Sequence, residues 1–416
     1  MNRLLLVSIA LISVLTQCKT EIQKSEWRGP NRSGVYAETG LLKEWPEEGP
    51  KMLWHLDGIP TGYSSAAIAH NTVYLTGLKD SMDYLVAINM EGKLKWQIPY
   101  GRGWDASFVD SRCTPTIEDE RIYLSSGRGD LACVNALSGE MIWQKKANEI
   151  FEGECGEWGI SESLLLYKDL VFYTPCGKKT TMIALNKMTG ETVWESKSLD
   201  DKSAYVSPLL IDRNGKKQIV TVTENNAIGV NPENGNIDWQ FDYGSYAAGE
   251  WKANINTNTP LYKNGKIFIT NGYDHHSVML DLNEEASEVE LSYVDSLLDV
   301  HHGGAVLRDG YIYGANWINN RNGYWVCMEW ETGKKMYETE WENKGSIISA
   351  EGMLYCYDEK DGNVALVKAD PKEFKVISSF KVPYGKGPYW AHMVINDGVL
   401  YVRHATAIMA YSIKEK

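Results

Sequence analysis

The sequence is poor in phenylalanine and cysteine, with seven of each among 416 residues. So few cysteines exclude a dense disulfide framework. No C-x-x-C occurs and no Cys/His grouping has zinc-finger spacing, which excludes a structural zinc domain. The G-x-S-x-G, H-E-x-x-H and P-loop motifs are missing, as is a G-x-G-x-x-G after a strand, so no hydrolase elbow, zincin helix or nucleotide cradle is expected. Positive charge is short as well: 42 Lys and Arg stand against 55 Asp and Glu, a net charge of −13. Such a surface does not attract a phosphate backbone, and no nucleic-acid partner is expected. Outside the first residues there is neither a second long apolar run nor a segment of helical period, so the body of the chain reads as all-β.

What the sequence has in excess is tryptophan and tyrosine, 15 and 24 residues. These aromatics carry a polar handle and suit half-buried sites that need a hydrogen bond. The chain opens MNRLLLVSIALISVLTQC, in which Arg3 precedes a short apolar run, the layout of a secretory signal. The Leu15-Thr16-Gln17-Cys18 end is similar to a bacterial lipobox, which predicts lipidation of Cys18 and anchoring to a membrane through that lipid alone. Residues 1–17 are then a leader, 18–50 a tether and lead-in, and 51–416 one domain. Export permits disulfides, and Cys155 and Cys176 flank a predicted hairpin where they could pair. Cys133 and Cys327 sit in apolar runs and are expected to be buried free thiols.

Self-similarity decides the fold. A segment N-x-x-x-G-x-x-x-W ends at Trp143, Trp194 and Trp239, a copy one residue shorter ends at Trp96, and a fifth copy ends at Tyr337. The tryptophans are spaced by 47, 51 and 45 residues, and a degenerate copy, MLDLNEEASEVEL, fills the gap before Tyr337. Turn-plus-strand markers such as AHNTVYLT, EDERIYLSS and NDGVLYV give a second count, and both counts give eight. Units of this length holding four short strands predict an eight-bladed β-propeller of four-stranded blades. The last unit lacks its outer strand while KMLWHL with Trp54 stands unclaimed before the first. Trp54 is therefore expected to complete the last blade and close the ring without an open edge. Each repeat Trp is expected to pack between neighbouring blades.

These repeats resemble the pyrroloquinoline quinone (PQQ) repeat of the quinoprotein-like propellers, over about residues 50–416. The lead-in WRGPNRSGVYAETGLLKEWPEEGPKMLW is similar to that of many secreted bacterial members. The resemblance implies one of two activities: oxidation of an alcohol or sugar with PQQ and calcium on the propeller axis, or a non-catalytic scaffold like the lipoprotein of the outer-membrane β-barrel assembly machine. The vicinal Cys-Cys pair of the large alcohol-oxidising members is missing here, as is a C-x-x-C-H haem site, and no calcium ligand set can be matched residue by residue.

Aligning the units on their turn strands lets the axial residues be read. Ten positions upstream stand Tyr63, Arg112, Ser161, Thr257, His302, Lys344 and Trp390, with Ser207 from the longer fourth unit. Two positions on, strand alternation returns to the same face at Ser65, Thr114, Ser163, Leu209, Thr259, Gly304, Ser346 and His392. Arg112, Glu162, Asn256, His302, Lys344, Trp390 and His392 are the expected funnel for a polar or anionic ligand. Of the tryptophans without a repeat position, Trp158, Trp251 and Trp317 are expected on binding loops. Neighbours on a strand face opposite ways, so His301-His302 and His275-His276 should each offer one ligand to any site, and no metal set is assigned. The predicted function is a scaffold of the bacterial cell envelope, at the outer membrane, binding an envelope protein or a small ligand. The alternatives are a PQQ-dependent oxidoreductase with calcium and a carbohydrate-binding accessory lipoprotein.

Overall fold

The computed structural model describes residues 23–249 and 255–415. The predicted leader, Cys18 and Trp251 lie outside them. The described chain forms eight sheets whose four blade strands are antiparallel, six sheets of four strands and two of five. Blade 1 comprises Ala67–Ala69, Thr72–Lys79, Met82–Asn89 and Leu94–Arg102, and the other blades repeat this order. The second and third strands of each blade are buried almost throughout, as at Met353–Asp358, because neighbouring blades cover both of their faces. Outer strands alternate between half-buried and exposed residues, as at Met141–Lys146, because one face meets solvent. The ring closes as expected: Lys51–Asp57 pairs with Ala407–Ser412, so the first strand of the domain is the outer strand of blade 8.

The repeat signature has a packing reason. Where a unit keeps its turn glycine, that residue takes a left-handed backbone, and an aromatic ring of the preceding blade lies where its Cβ would be. Trp54 lies 2.7 Å from the Cβ position of Gly92, Trp96 3.0 Å from that of Gly139, and Trp143 2.8 Å from that of Gly190. Trp239 departs from the expectation. The matching turn of blade 5 holds Ala286, itself left-handed at φ 51°, so a methyl occupies the seat. The Trp239 ring turns into its own blade over Gly229 and donates from Nε1 to Gln218 Oε1 at 2.6 Å. Tyr293 takes over in blade 5 and packs on Gly333.

The lead-in does more than connect. Lys24–Ser25 pairs with the innermost strand of blade 2, Thr116–Glu118, and Val35–Tyr36 runs parallel to the innermost strand of blade 7, Gly345–Ala350. These are the fifth strands of the two larger sheets. Between them the chain enters the channel on the side of the hairpin turns, reaches a tip at Trp27–Arg32, and returns. Arg28, Gly29, Asn31 and Arg32 all have positive φ, a strained tip held by what its side chains bond. Arg28 donates to the carbonyls of Gly303, Ala305 and Ile347 at 3.3, 2.7 and 3.1 Å. Arg32 reaches across the axis to Ser163 and Leu164 at 2.8 and 2.7 Å. The axial channel is thus plugged on one side.

Two further expectations change. Cys155 and Cys176 are free thiols, as are Cys133 and Cys327. Burial pushes the Cys155 and Cys176 thiols up, so both stay protonated at neutral pH. Part of the second ring of axial residues is a staple, although Ser163 and His392 also reach the channel wall. Thr114 Oγ1 accepts from Ser65 N at 2.8 Å, Ser163 Oγ from Thr114 N at 3.0 Å and Ser207 Oγ from Ser163 N at 3.0 Å. Each hydroxyl satisfies a buried amide of the blade before it.

Candidate functional site

Above the plug the channel opens into a mouth of about 1130 Å³. Its walls come from the extended segments that lead into the innermost strands and from loops between the second and third strands, such as those of Tyr273 and Glu359. Tyr63, Arg112, Ser161, Ser207, Thr257, His302 and Trp390 all line it, each from a different blade, and Trp27 of the plug contributes to the wall. One side is a continuous aromatic band. Tyr63 and Trp390 lie 4.9 Å apart, Phe108 sits 6.4 Å from Trp390 and 5.8 Å from Trp158, and Trp158 meets Tyr205 and Tyr273 at 5.4 and 6.1 Å. Trp317 extends the band through Tyr273 at 5.3 Å.

The other side holds charge. Glu359 is 7% exposed, and its Oε1 lies 2.5 Å from Lys344 Nζ. Its Oε2 lies 3.4 Å from His301 Nδ1 and 3.4 Å from His302 Nε2. Burial works against the carboxylate, but the His301 contact and the Lys344 charge outweigh it and hold its pKa at about 2. Burial, with His301 beside it, keeps His302 neutral. The expectation that adjacent histidines diverge fails here. Residues 301–302 precede the strand Val306–Arg308 and lie in irregular backbone, where alternation does not apply. Gly303 and Gly304 make the approach possible, since a Cβ at the first would strike Gly345 O and at the second the Arg28 guanidinium.

The remaining predicted residues are placed as follows. Arg112 lines the mouth, but its guanidinium donates to the carbonyls of Phe108, Asp110 and Trp158, so it props the aromatic loop. Lys344 lies beneath the lining, 1% exposed at its side chain, and acts through Glu359. His392 lines the mouth yet its Nδ1 meets Arg28 Nη1 at 2.8 Å and its Nε2 meets His302 O at 2.9 Å. Asn256 is a clip under the surface, donating to Thr223 O and Glu224 O at 2.6 and 3.1 Å. His275 and His276 border a separate hollow of about 410 Å³ with Asp274 and Asp299.

Glu162 is buried below the mouth, where Oε2 accepts from Thr174 N at 3.1 Å and Oε1 has no partner. Burial drives its pKa up to about 8, against the Thr174 hydrogen bonds and the Arg32 charge. The folded protein keeps a proton that the unfolded chain loses near pH 4.3, so stability falls as pH rises from about 4.3 to 8. Glu162→Gln should flatten that decline, raising the melting temperature at pH 8 and leaving it nearly unchanged at pH 4. A gain confined to pH 4 in thermal melts would refute this assignment.

Glu359, Tyr205, Tyr273 and Phe108 were not singled out from the sequence, and His301 was named only as the diverging neighbour of His302. One signal was available for Glu359. Five positions after the turn-strand anchors the units read Leu78, Gly127, Cys176, Glu224, Gly272, Trp317, Glu359 and Ala405, and Trp317 and Glu359 are the members that reach the aromatic and charged sides.

Residues 81–335, more than half of the chain, match the family described as outer membrane protein assembly factor BamB. The chain belongs to this family. Within it the affinities are divided. A stretch of 137 residues is 32% identical to the quinoprotein alcohol dehydrogenase PedH of Pseudomonas putida, covering 30% of this chain and 22% of that protein. A stretch of 141 residues is 25% identical to the assembly factor BamB of Kangiella koreensis, covering 33% and 32%. The matches thus span between about a fifth and a third of the curated relatives. Among solved structures, BamB from Moraxella catarrhalis superposes with a TM-score of 0.60 at 14% identity, over 87% of this chain and 99% of that one. A europium-containing methanol dehydrogenase gives 0.69 at 12% identity, over 91% and 88%. At these identities the likeness is one of fold.

The His-His-Glu cluster is consistent with the expected quinone and calcium site without establishing it, and for calcium its donor set is short of oxygen. Calcium takes six to eight oxygen ligands. The cluster offers one carboxylate, already against Lys344, and two imidazole nitrogens. A His-His-Glu group able to coordinate a metal is nevertheless present.

Proposed function

We propose that this BamB-family propeller works in the cell envelope as a binder of a ring-bearing polar small molecule, on the dehydrogenase side of its family. The observation that carries the reading is the mouth itself: a continuous band of aromatic rings runs through Trp390 and Tyr273 into an ionised carboxylate flanked by two histidines. A hydroxylated ring, such as a sugar or cyclic alcohol, would lie on the Trp158–Phe108–Trp390 band. Its hydroxyls would meet His302 and Glu359. A surface used only to hold a protein partner has no need of a buried carboxylate at the floor of a deep pocket. The similarity to PedH supports this side of the family. The assembly-factor match supports an outer-membrane location and leaves an envelope-protein scaffold as the second reading.

The test is a titration of the purified chain lacking residues 1–17 with a panel of sugars, cyclic alcohols and PQQ, read by tryptophan fluorescence and calorimetry. A ring ligand should bind at one per chain, and Trp390→Ala should weaken it by about tenfold, the size of a lost stacking contact. No binding by any ring compound, together with retention of an outer-membrane barrel protein on the immobilised chain, would overturn the reading in favour of the scaffold.

A further inference from the structure

The spacing at the charged side of the mouth carries one inference beyond small-molecule binding. A hydrogen bond between imidazole and carboxylate has a heavy-atom distance of about 2.7–3.2 Å. Both histidine nitrogens instead stand 3.4 Å from the same oxygen, Glu359 Oε2. Three donors held about 2.1 Å from one tetrahedral ion lie about 3.4 Å from each other, which is the separation observed for both pairs through Oε2. All three donor atoms lie within 4.8 Å of one another.

The surroundings suit a ligand set. Tyr273 Oη lies 2.8 Å from His301 Nε2, so that ring can place its N–H on the tyrosine oxygen and its lone pair on Nδ1, facing Glu359. His302 Nε2 is buried without a hydrogen-bond partner. Lys344 Nζ occupies Glu359 Oε1 at 2.5 Å, leaving Oε2 as a single donor. His301, His302 and Glu359 all line the mouth, so the fourth position of an ion held there opens to the cavity.

We propose that His301 Nδ1, His302 Nε2 and Glu359 Oε2 bind one divalent transition ion of the zinc class, with its open position turned to the aromatic mouth. Two imidazoles and one carboxylate are a borderline-soft set that favours such ions over calcium. The proposal deepens the small-molecule reading of the same site, where the ion would polarise a ligand oxygen.

The purified chain lacking residues 1–17 is first stripped with a chelator and then titrated with Co²⁺, followed by Zn²⁺ or Ca²⁺. One Co²⁺ per chain should give the intense visible absorption of a four-coordinate ion, displaced by Zn²⁺ and not by Ca²⁺. His302→Gln removes a nitrogen that has no partner in the protein, so it should leave the fold intact and weaken Co²⁺ by about 100-fold or more. Glu359→Gln should also abolish the absorption. Absence of the band, displacement by Ca²⁺, or unchanged affinity in a folded His302→Gln variant would overturn the site. Ring-ligand binding by the stripped protein separates the two proposals: if it persists while Co²⁺ fails to bind, the ion is lost and the ligand site stands.

Discussion

Arg28→Ala is expected to lower the free energy of unfolding by about 2–3 kcal/mol, the usual cost of losing hydrogen bonds from a charged donor to buried acceptors. The residue is 3% exposed, and its guanidinium is shared among blades 6, 7 and 8 through Gly303, Ala305, Ile347 and His392. Truncation removes a donor from the carbonyls of Ala305, Ile347 and Gly303, of which Gly303 O keeps Ile347 N, and it removes the tip's hold on the ring. Arg28→Lys should recover less than half, because an ammonium cannot reproduce the planar fork that reaches all of these acceptors. The midpoint of urea unfolding, with an unchanged slope, is the measurement. A loss below about 1 kcal/mol would mean that the lead-in is a passive tether. The same variant should raise the pKa of His392, which burial and then the Arg28 charge hold at about 3 against its bond to His302 O.

Glu359→Gln is the second large effect. It leaves Lys344, with 1% of its side chain exposed, without its counter-charge, at about 3–5 kcal/mol. Replacing both partners should behave differently. The Glu359→Gln, Lys344→Met pair removes the stranded charge together with its partner, so it should regain most of the lost stability while still lacking the carboxylate of the site. The double-mutant cycle should therefore show a coupling of at least about 2 kcal/mol between two residues that the chain places 15 positions apart. Additive losses in the cycle would show that Lys344 is paired elsewhere. The two outcomes separate stability from function, because regained folding without regained ligand binding assigns Glu359 to the site.

The fold was legible because propeller blades repeat a physical constraint once per unit. A glycine must take a left-handed turn where the neighbouring indole sits, so Gly92, Gly139 and Gly190 leave the same trace beside Trp54, Trp96 and Trp143. Where the constraint is broken, at Ala286, the trace is broken too, and Trp239 changes its packing accordingly. The axial ring at Tyr63, Arg112, Ser161, Ser207, Thr257, His302 and Trp390 was readable for the same reason: a repeat fixes which position in each unit faces the axis.

Repetition is silent about residues that act once. Glu359 sits in a single hairpin loop of blade 7, His301 is exempt from strand alternation because two glycines break the strand, and Phe108 reaches the mouth from an irregular loop. The lead-in belongs to no repeat, so its sequence could not reveal that Arg28 and Arg32 cross the axis. The sequence by itself determined the number of blades, the closure by Trp54 and the ring of positions around the channel, because each follows from local turn chemistry repeated eight times. Only the tertiary structure decided that the channel is plugged from one side and that Lys344, Glu359, His301 and His302 meet at its mouth. Those contacts join residues from different blades and loops whose distance in space no periodicity encodes.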